Sequence, residues 1–280
     1  MWSRRVDLKR YKSLLTPLVV LLLVGLSWEY LIELTEMPLT SLLSIVVFGG
    51  LSLWANSLVI HRVTYRYRRS VSAVDSLWLT SVGVLGNSLG LPIGTGAKYY
   101  FWVVRAGLKV RQSLLGIGYF SLCSFLVSLV LALLVYTIAS ANGQAWLGLL
   151  SVSIVLFVLP QVLAGMLFEG RRADVIWDGG LSLLVVLLMA MLVFTPLSYY
   201  YSEISTTNIL IISLGFIALS YVTFVASIPA GQELLLGTMT AFLGEQFMSG
   251  VAVSLVVRMA YVLSAAAVVM FVKPAVTKSA

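Results

Sequence analysis

The chain has 280 residues, of which 60% are hydrophobic and only 10% are charged, and its mean hydropathy is +1.02. This composition excludes an ordinary soluble domain, and the long apolar runs indicate membrane-spanning helices rather than the alternating pattern of a β-barrel. The formal net charge of +7 comes from short clusters of Lys and Arg. In a membrane protein such clusters set the orientation, so we expect no binding of nucleic acid.

The first two predicted spans are joined by a turn without basic residues. Residues 14–35 follow a basic N-terminal stretch, and their apolar run has no small-residue cleavage site, which favours an uncleaved helix over a signal peptide. The second span covers residues 39–60 and leads into the basic segment 61–69. The positive-inside rule therefore places the N-terminus and this basic segment in the cytoplasm.

The next predicted segment is interrupted by Pro and Gly. Residues 74–91 are apolar but short, Pro92 follows, and residues 97–111 carry four basic side chains. Because the segment leaves one basic loop and returns to another, we predict a re-entrant hairpin that enters from the cytoplasm. Residues 113–139 then cross outward.

The second half of the chain repeats this scheme. Its predicted elements are crossings at 145–168 and 179–198, a hairpin at 206–248 that is broken at Pro229, and a last crossing at 251–272. With six spans and two hairpins, the halves 1–140 and 141–280 form an inverted repeat within a single all-α transmembrane domain. In an eight-span alternative all four hairpin arms cross, and both termini remain cytoplasmic.

The two breaks match each other. Both contain Pro-x-Gly, Pro92 and Pro229 are 137 residues apart, and each is followed fifteen residues later by a glycine, Gly107 or Gly244. Matching Gly/Pro breaks in two halves are typical of a transporter's binding site, because non-helical backbone at membrane depth needs protein or a water-filled cavity around it. Close helix packing without a ligand is the alternative explanation of the glycines.

Few charged or polar side chains lie inside the predicted membrane segments, where they are costly. Lys98 follows the first break, Glu233 follows the second, Arg258 lies well inside the last span, and Asn87 lies within an apolar arm. They predict a polar cavity in which Lys98 and Arg258 face an anionic phosphate and Glu233 balances the charge, and to which helix starts after the two prolines would add free N–H groups. Asn87 is suited either to backbone groups freed at the Pro92 break or to a substrate headgroup. Alternatively, Glu233 and Arg258 form a structural ion pair and Lys98 reaches the cytoplasmic surface.

Other chemistry has little support in the sequence. The chain has one histidine, His61, and one cysteine, Cys123, so we predict no metal site, and we expect Cys123 to be a core residue. No phosphate loop, dinucleotide fingerprint or nucleophile elbow is present, so we predict no cofactor and no enzyme activity. The arginines near residue 66 are predicted to set topology and to meet anionic lipid.

The motifs around the two breaks resemble those of a known family. The run Asn87-x4-Pro92-x-Gly94-x-Gly96-x-Lys98, and then Pro229-x-Gly231-x-Glu233 with Arg258, resemble two conserved regions of the lysylphosphatidylglycerol synthase transmembrane-region family. These flippase-type domains occur fused to aminoacyl-phospholipid synthases and also alone. The resemblance implies a stand-alone member that handles lipid headgroups. The substrate-binding residues that it implies are Asn87, Pro92, Gly94, Gly96, Lys98, Gly231, Glu233 and Arg258.

The chain also departs from the family pattern. The family commonly has Arg where this chain has Lys98 and often an acidic residue where it has Ala97, and a charged pair of the following helix is missing from residues 119–122. The resemblance therefore does not imply a particular lipid.

Our first hypothesis is a flippase or transporter of the cytoplasmic membrane that moves a phospholipid or a lipid-linked intermediate. Both termini would be cytoplasmic. The partners would be the lipid and in some cases a separate lipid-modifying enzyme, and the sequence is compatible with a homo-oligomer as well as with a monomer. The alternatives are a non-transporting scaffold for a cell-envelope enzyme and a membrane-embedded enzyme that modifies lipid.

Overall fold

The computed structural model describes residues 18–67, 71–88, 107–140, 175–221 and 230–272. Within these ranges the chain is helical and has no β-strand, which confirms the all-α class for this part of the protein. The helices are α1 (Leu18–Leu26), α2 (Trp28–Thr35), α3 (Leu39–Arg66), α4 (Ala73–Ser88), α5 (Val110–Ala139), α6 (Val175–Tyr200), α7 (Thr206–Ser220), α8 (Gly231–Ala241) and α9 (Phe247–Phe271).

Four of these helices, α3, α5, α6 and α9, are long and apolar enough to cross a membrane. Helices α1 and α2 make a fifth candidate span if the 68° bend between them lies within one crossing. The bend is at Ser27, whose hydroxyl donates a hydrogen bond to the Leu23 carbonyl at 2.6 Å. Many large apolar side chains on the helices are exposed, as a lipid-facing surface requires. The chain is therefore an integral membrane protein.

Several predicted boundaries differ from the observed ones. Helix α3 continues past residue 60 to Arg66, so His61 and Arg62 lie on a helix rather than in a loop. The predicted arm 230–248 is divided, because α8 ends at Ala241 and α9 begins at Phe247. The predicted span 145–168 lies outside the described residues.

Besides α1 and α2, three of the described helices are too short to cross a bilayer alone. Helices α4, α7 and α8 have 16, 15 and 11 residues. At the helical rise these lengths correspond to about 24, 22 and 16 Å, whereas the hydrocarbon core is about 30 Å thick. Two of them begin in the same way, since Ser72 Oγ accepts from the Asp75 N–H at 3.0 Å and Ser205 Oγ accepts from the Asn208 N–H at 3.3 Å.

The matched glycines of the sequence correspond to matched turns. Gly107 and Gly244 have positive φ angles of 61° and 84°, a conformation that glycine adopts without steric cost. Each lies three residues before a long helix, and these helices, α5 and α9, begin 137 residues apart. Helices α3 and α6, and likewise α4 and α7, follow at nearly the same spacing.

The contacts between helices show the same correspondence between the two halves of the chain. Helix α3 packs on α4 and α9, and α4 also packs on α9; in the same way α6 packs on α7 and α5, and α7 also packs on α5. We call α3, α4 and α9 the first bundle and α6, α7 and α5 the second bundle. Each bundle thus combines two helices from one half of the chain with the long helix of the other half. The bundles meet mainly along α3 and α6, while α2 and α8 lie on α9.

Helices α8 and α9 approach closely at two glycines. A Cβ added to Gly250 would lie 2.2 Å from Thr240 Oγ1 and 2.9 Å from the Gly237 Cα. Such distances leave no room for even a methyl group. The start of α9 therefore depends on glycine for its contact with α8.

We predict that Gly250→Ala lowers the thermal unfolding midpoint of the detergent-solubilised protein by several degrees, because overpacking of this kind costs about 1–3 kcal/mol. Gly118→Ala on α5 is the matched control, since nothing lies within 4 Å of the added methyl group. An unchanged or higher midpoint is expected for the control, and equal midpoints for both variants would contradict the packing argument.

Candidate functional site

The second broken segment ends where α8 begins. Ala230, the residue before α8, has φ 56° and ψ 25°, a left-handed conformation that costs a non-glycine residue about 1–2 kcal/mol. Its side chain caps no N–H group of the first turn. Gly231 is the first helical residue and is buried, and Glu233 follows within the same turn. A carboxylate is favoured at this position by the helix dipole.

Glu233 forms an ion pair with Arg258 of α9. Arg258 Nη1 donates to Glu233 Oε1 at 2.6 Å, and the Glu233 side chain is 2% exposed while that of Arg258 is 24% exposed. The Glu233 carboxylate is thus shielded from solvent, whereas the Arg258 guanidinium is partly accessible to it. A guanidinium has five N–H donors in a planar fork, so it can hold a carboxylate and a phosphate oxygen at the same time.

The Glu233–Arg258 pair lies far from both ends of α9. Arg258 is near the midpoint of α9, eleven residues after Phe247 and thirteen before Phe271, which is about 16 Å from the start of the helix. Charged side chains at such depth are rare in membrane proteins and mark substrate pathways, ion pathways or structural pairs. The structure therefore confirms that the two residues meet, and it leaves both predicted roles open.

Further polar groups lie one turn away on α9. The Tyr261 hydroxyl accepts a hydrogen bond from Asn56 Nδ2 at 2.7 Å, which joins α9 to α3. Tyr221, the residue after α7, lies close enough to Tyr261 to interact with it electrostatically. Tyr221 and Glu233 flank the segment 222–229, and both reach the middle of α9. The two ends of the second break therefore both lie beside the middle of α9.

Three buried serines on α3, α4 and α6 carry further polar groups. Their hydroxyl oxygens have no hydrogen-bond partner among the described residues; they are Ser52 on α3, Ser76 on α4 and Ser182 on α6. Buried hydroxyl groups are normally bonded, and serine in a helix usually bonds a carbonyl one turn back. These hydroxyls are therefore suited to hold water or a polar group that enters between the helices.

Several residues of the predicted site cannot be placed. Pro92, Gly94, Gly96 and Lys98 lie outside the described residues. Asn87 belongs to the last turn of α4, and only its backbone is described. Of the predicted set, the structure brings together Gly231, Glu233 and Arg258.

A second ion pair was not predicted. Arg62 Nε on α3 donates to Asp178 Oδ1 on α6 at 3.2 Å, and the Tyr119 hydroxyl on α5 donates to Asp178 Oδ2 at 3.4 Å. The Asp178 side chain is fully buried. The sequence does hold a signal for this pair, since no basic residue lies three or four positions from Asp178 along its own helix. A buried carboxylate in that situation needs a cation from another helix.

His61 has a structural contact. Its Nδ1 atom lies 2.8 Å from the Val71 carbonyl oxygen, which ties the end of α3 to the start of α4. Within the described ranges no group of three or more His, Cys, Asp or Glu side chains is arranged to hold a metal ion.

Comparisons with protein-family models, with curated proteins and with solved structures found no match for this chain. The fold and the site define the class of the protein as an all-α integral membrane protein with a buried ion pair at mid-depth. The resemblance to the lysylphosphatidylglycerol synthase transmembrane-region family stays a prediction.

We predict that Arg258→Met destabilises the protein by about 3–5 kcal/mol, because it leaves the buried Glu233 carboxylate without its cation. Combining it with Glu233→Leu should recover much of that loss, since both charges are then absent. Thermal unfolding of the single and double variants in detergent measures the coupling. The exposed Arg111→Met is the matched control and should change the midpoint little. Additive effects of the two site substitutions would show that the pair contributes no coupling energy.

Proposed function

We propose that this protein is a lipid flippase or transporter that moves the anionic headgroup of a phospholipid or lipid-linked intermediate across the cytoplasmic membrane. The observation that carries the proposal is the Glu233–Arg258 pair, a buried carboxylate and a partly accessible guanidinium halfway along α9. The acyl chains would stay in lipid while the headgroup passes between the helices. The protein acts by binding and movement, without covalent catalysis.

The proposal includes a re-entrant hairpin made by α7 and α8. Tyr201, in the turn between α6 and α7, bonds Ser249 near the start of α9, whereas Tyr221 after α7 lies near the middle of α9. Helix α8 returns over the same depth, because Glu233 pairs with Arg258 and Thr240 lies against Gly250. Both arms therefore occupy the same half of the bilayer, as expected of a hairpin that turns at the midplane.

Charge distribution supports the orientation of this hairpin. At the end of the protein that holds Glu33, Tyr200 and Glu245, none of the described residues is Lys or Arg. The opposite end holds Arg62 on α3 and the start of α5. By the positive-inside rule the second end is cytoplasmic, so that α7–α8 enters from outside. Helix α4 begins at the cytoplasmic end of α3, which suits a first hairpin of the opposite direction and hence the inverted repeat.

The pair provides chemistry for a phosphate. In the empty site Glu233 holds the Arg258 guanidinium in place. An entering phosphate can take over N–H donors of Arg258 by charge-assisted hydrogen bonds, and the N–H groups at the start of α8 add a partial positive charge. Glu233 is then placed to meet a cationic part of the headgroup. The predicted Lys98 would add a further cation from the first break.

We predict that purified protein in liposomes moves fluorescent phosphatidylglycerol between leaflets and that Glu233→Gln lowers the rate at least tenfold. The substitution keeps the size of the side chain but removes the charge that positions Arg258. Quenching of outer-leaflet fluorescence by dithionite measures the rate. Glu36→Gln is the matched control, because Glu36 is an exposed carboxylate in the turn between α2 and α3, and it should leave the rate unchanged.

Two outcomes would count against the proposal. Equal rates for Glu233→Gln and the unchanged protein would remove the ion pair from the transport path. Failure of the folded protein to move either phosphatidylglycerol or a polyprenyl phosphate would refute lipid transport and favour the scaffold alternative.

A further inference from the structure

The two bundles are joined by polar contacts at both ends of their α3–α6 interface. At the cytoplasmic end Arg62 of the first bundle pairs with Asp178 of the second. At the outer end the hydroxyl of Tyr200, the last residue of α6, donates to Glu33 of α2, which packs on α9 of the first bundle, and the Tyr201 hydroxyl bonds Ser249 of α9 itself. We call Arg62–Asp178 the cytoplasmic pair and the two tyrosine contacts the outer tyrosine contacts. The Glu233–Arg258 pair lies between these levels.

The cytoplasmic pair has a looser geometry than the pair at mid-depth. Arg62 Nε lies 3.2 Å from Asp178 Oδ1, whereas Arg258 Nη1 lies 2.6 Å from Glu233 Oε1. Asp178 is fully buried, but the Arg62 side chain is 20% exposed. Water therefore reaches the arginine side of the contact, which lowers the cost of separating the charges.

Each partner of the cytoplasmic pair keeps a contact within its own bundle. The Arg62 guanidinium carbon lies 5.7 Å from the ring centroid of Tyr65, one turn further along α3, which is within the range of a cation–π interaction. Asp178 accepts a hydrogen bond from Tyr119 of α5, and α5 and α6 belong to the same bundle. If the bundles separate, neither charge is left without a partner. A buried ion pair without such second contacts would leave an unpaired charge when it breaks, which is much more costly.

We infer that the cytoplasmic pair is a gate. It breaks when α3 and α6 move apart at their cytoplasmic ends, and this opens a path for a headgroup to the Glu233–Arg258 site while the outer tyrosine contacts stay formed. The inference deepens the proposed function and rests on it for the identity of what passes. The opening itself is a movement of the two bundles that can be measured without any transport assay.

The chain contains its own reporter for this movement. Cys123 is the only cysteine in the sequence, and it lies one turn after Tyr119 on α5. Its side chain is 2% exposed and packs in a cluster with Val63, which is next to Arg62 on α3. Separation of α3 from α5 and α6 at this end would therefore uncover the thiol toward the cytoplasm.

The test is the labelling rate of Cys123 by a membrane-impermeant maleimide in vesicles of each orientation. Asp178→Asn removes the charge with little change in size, and we expect it to raise the labelling rate about tenfold from the Arg62 face and not from the opposite face. Exchange of the charges in Arg62→Asp with Asp178→Arg should restore slow labelling. Glu36→Gln, at the opposite end of the bundle, is the control and should match the unchanged protein.

The outcomes separate a gate from a merely structural contact. An unchanged labelling rate in Asp178→Asn would refute the gate. Faster labelling from both faces together with a large fall in the thermal unfolding midpoint would also refute it, because general loosening and not a one-sided opening would then explain the effect. One-sided labelling in a protein that moves no lipid would uphold the gate and refute lipid transport, whereas transport with an unchanged labelling rate would refute the gate alone.

Discussion

A charge or an open peptide group inside the bilayer has no water to bond, and the described structure follows from that constraint. Glu233 is acceptable at mid-depth only because Arg258 reaches it from α9, and Arg258 reaches it only because α8 starts halfway through the bundle. The close approach of Gly250 to α8 brings the two helices to the necessary distance. One ion pair thus ties together the break, the short helix and the glycine contact.

The same constraint explains what the sequence could predict. Apolar runs require helices, so the bounds of α5 and α6 were predicted to within four residues. The equal spacing of Gly107 and Gly244 from the two prolines predicted a correspondence that reappears in the turns before α5 and α9. The meeting of Glu233 and Arg258 was one of two predicted alternatives, because so few charges occur in membrane segments that each has few available partners.

Other features could not be predicted, for physical reasons. The sequence indicates that a buried Asp178 needs a cation from another helix, but it does not identify Arg62 as that cation. Arg62 lies among several arginines at a helix end, where water and lipid phosphate are as suitable as a carboxylate, and Asp178 is 116 residues away in the chain. The bend at Ser27 keeps its backbone hydrogen bonds to Leu23 and Leu31, and Gly25 two residues earlier does not mark it, because a single glycine also occurs in straight helices. Which helices pack against each other could not be predicted from the sequence either, because a helix that is apolar all round has no face that identifies its partner.

The exchange of long helices between the bundles has a consequence for how the protein is made. Helices α3 and α4 leave the ribosome early, but the helix that completes their bundle, α9, is the last described element of the chain. Until then α4 is a helix too short to cross the membrane alone and without its main neighbour. Assembly therefore depends on contacts between distant parts of the sequence, which are slow to form. A nascent chain stalled before α9 would lack the helix on which α3, α4 and α8 pack and the arginine that pairs with Glu233, and it would be the kind of species that membrane quality control removes.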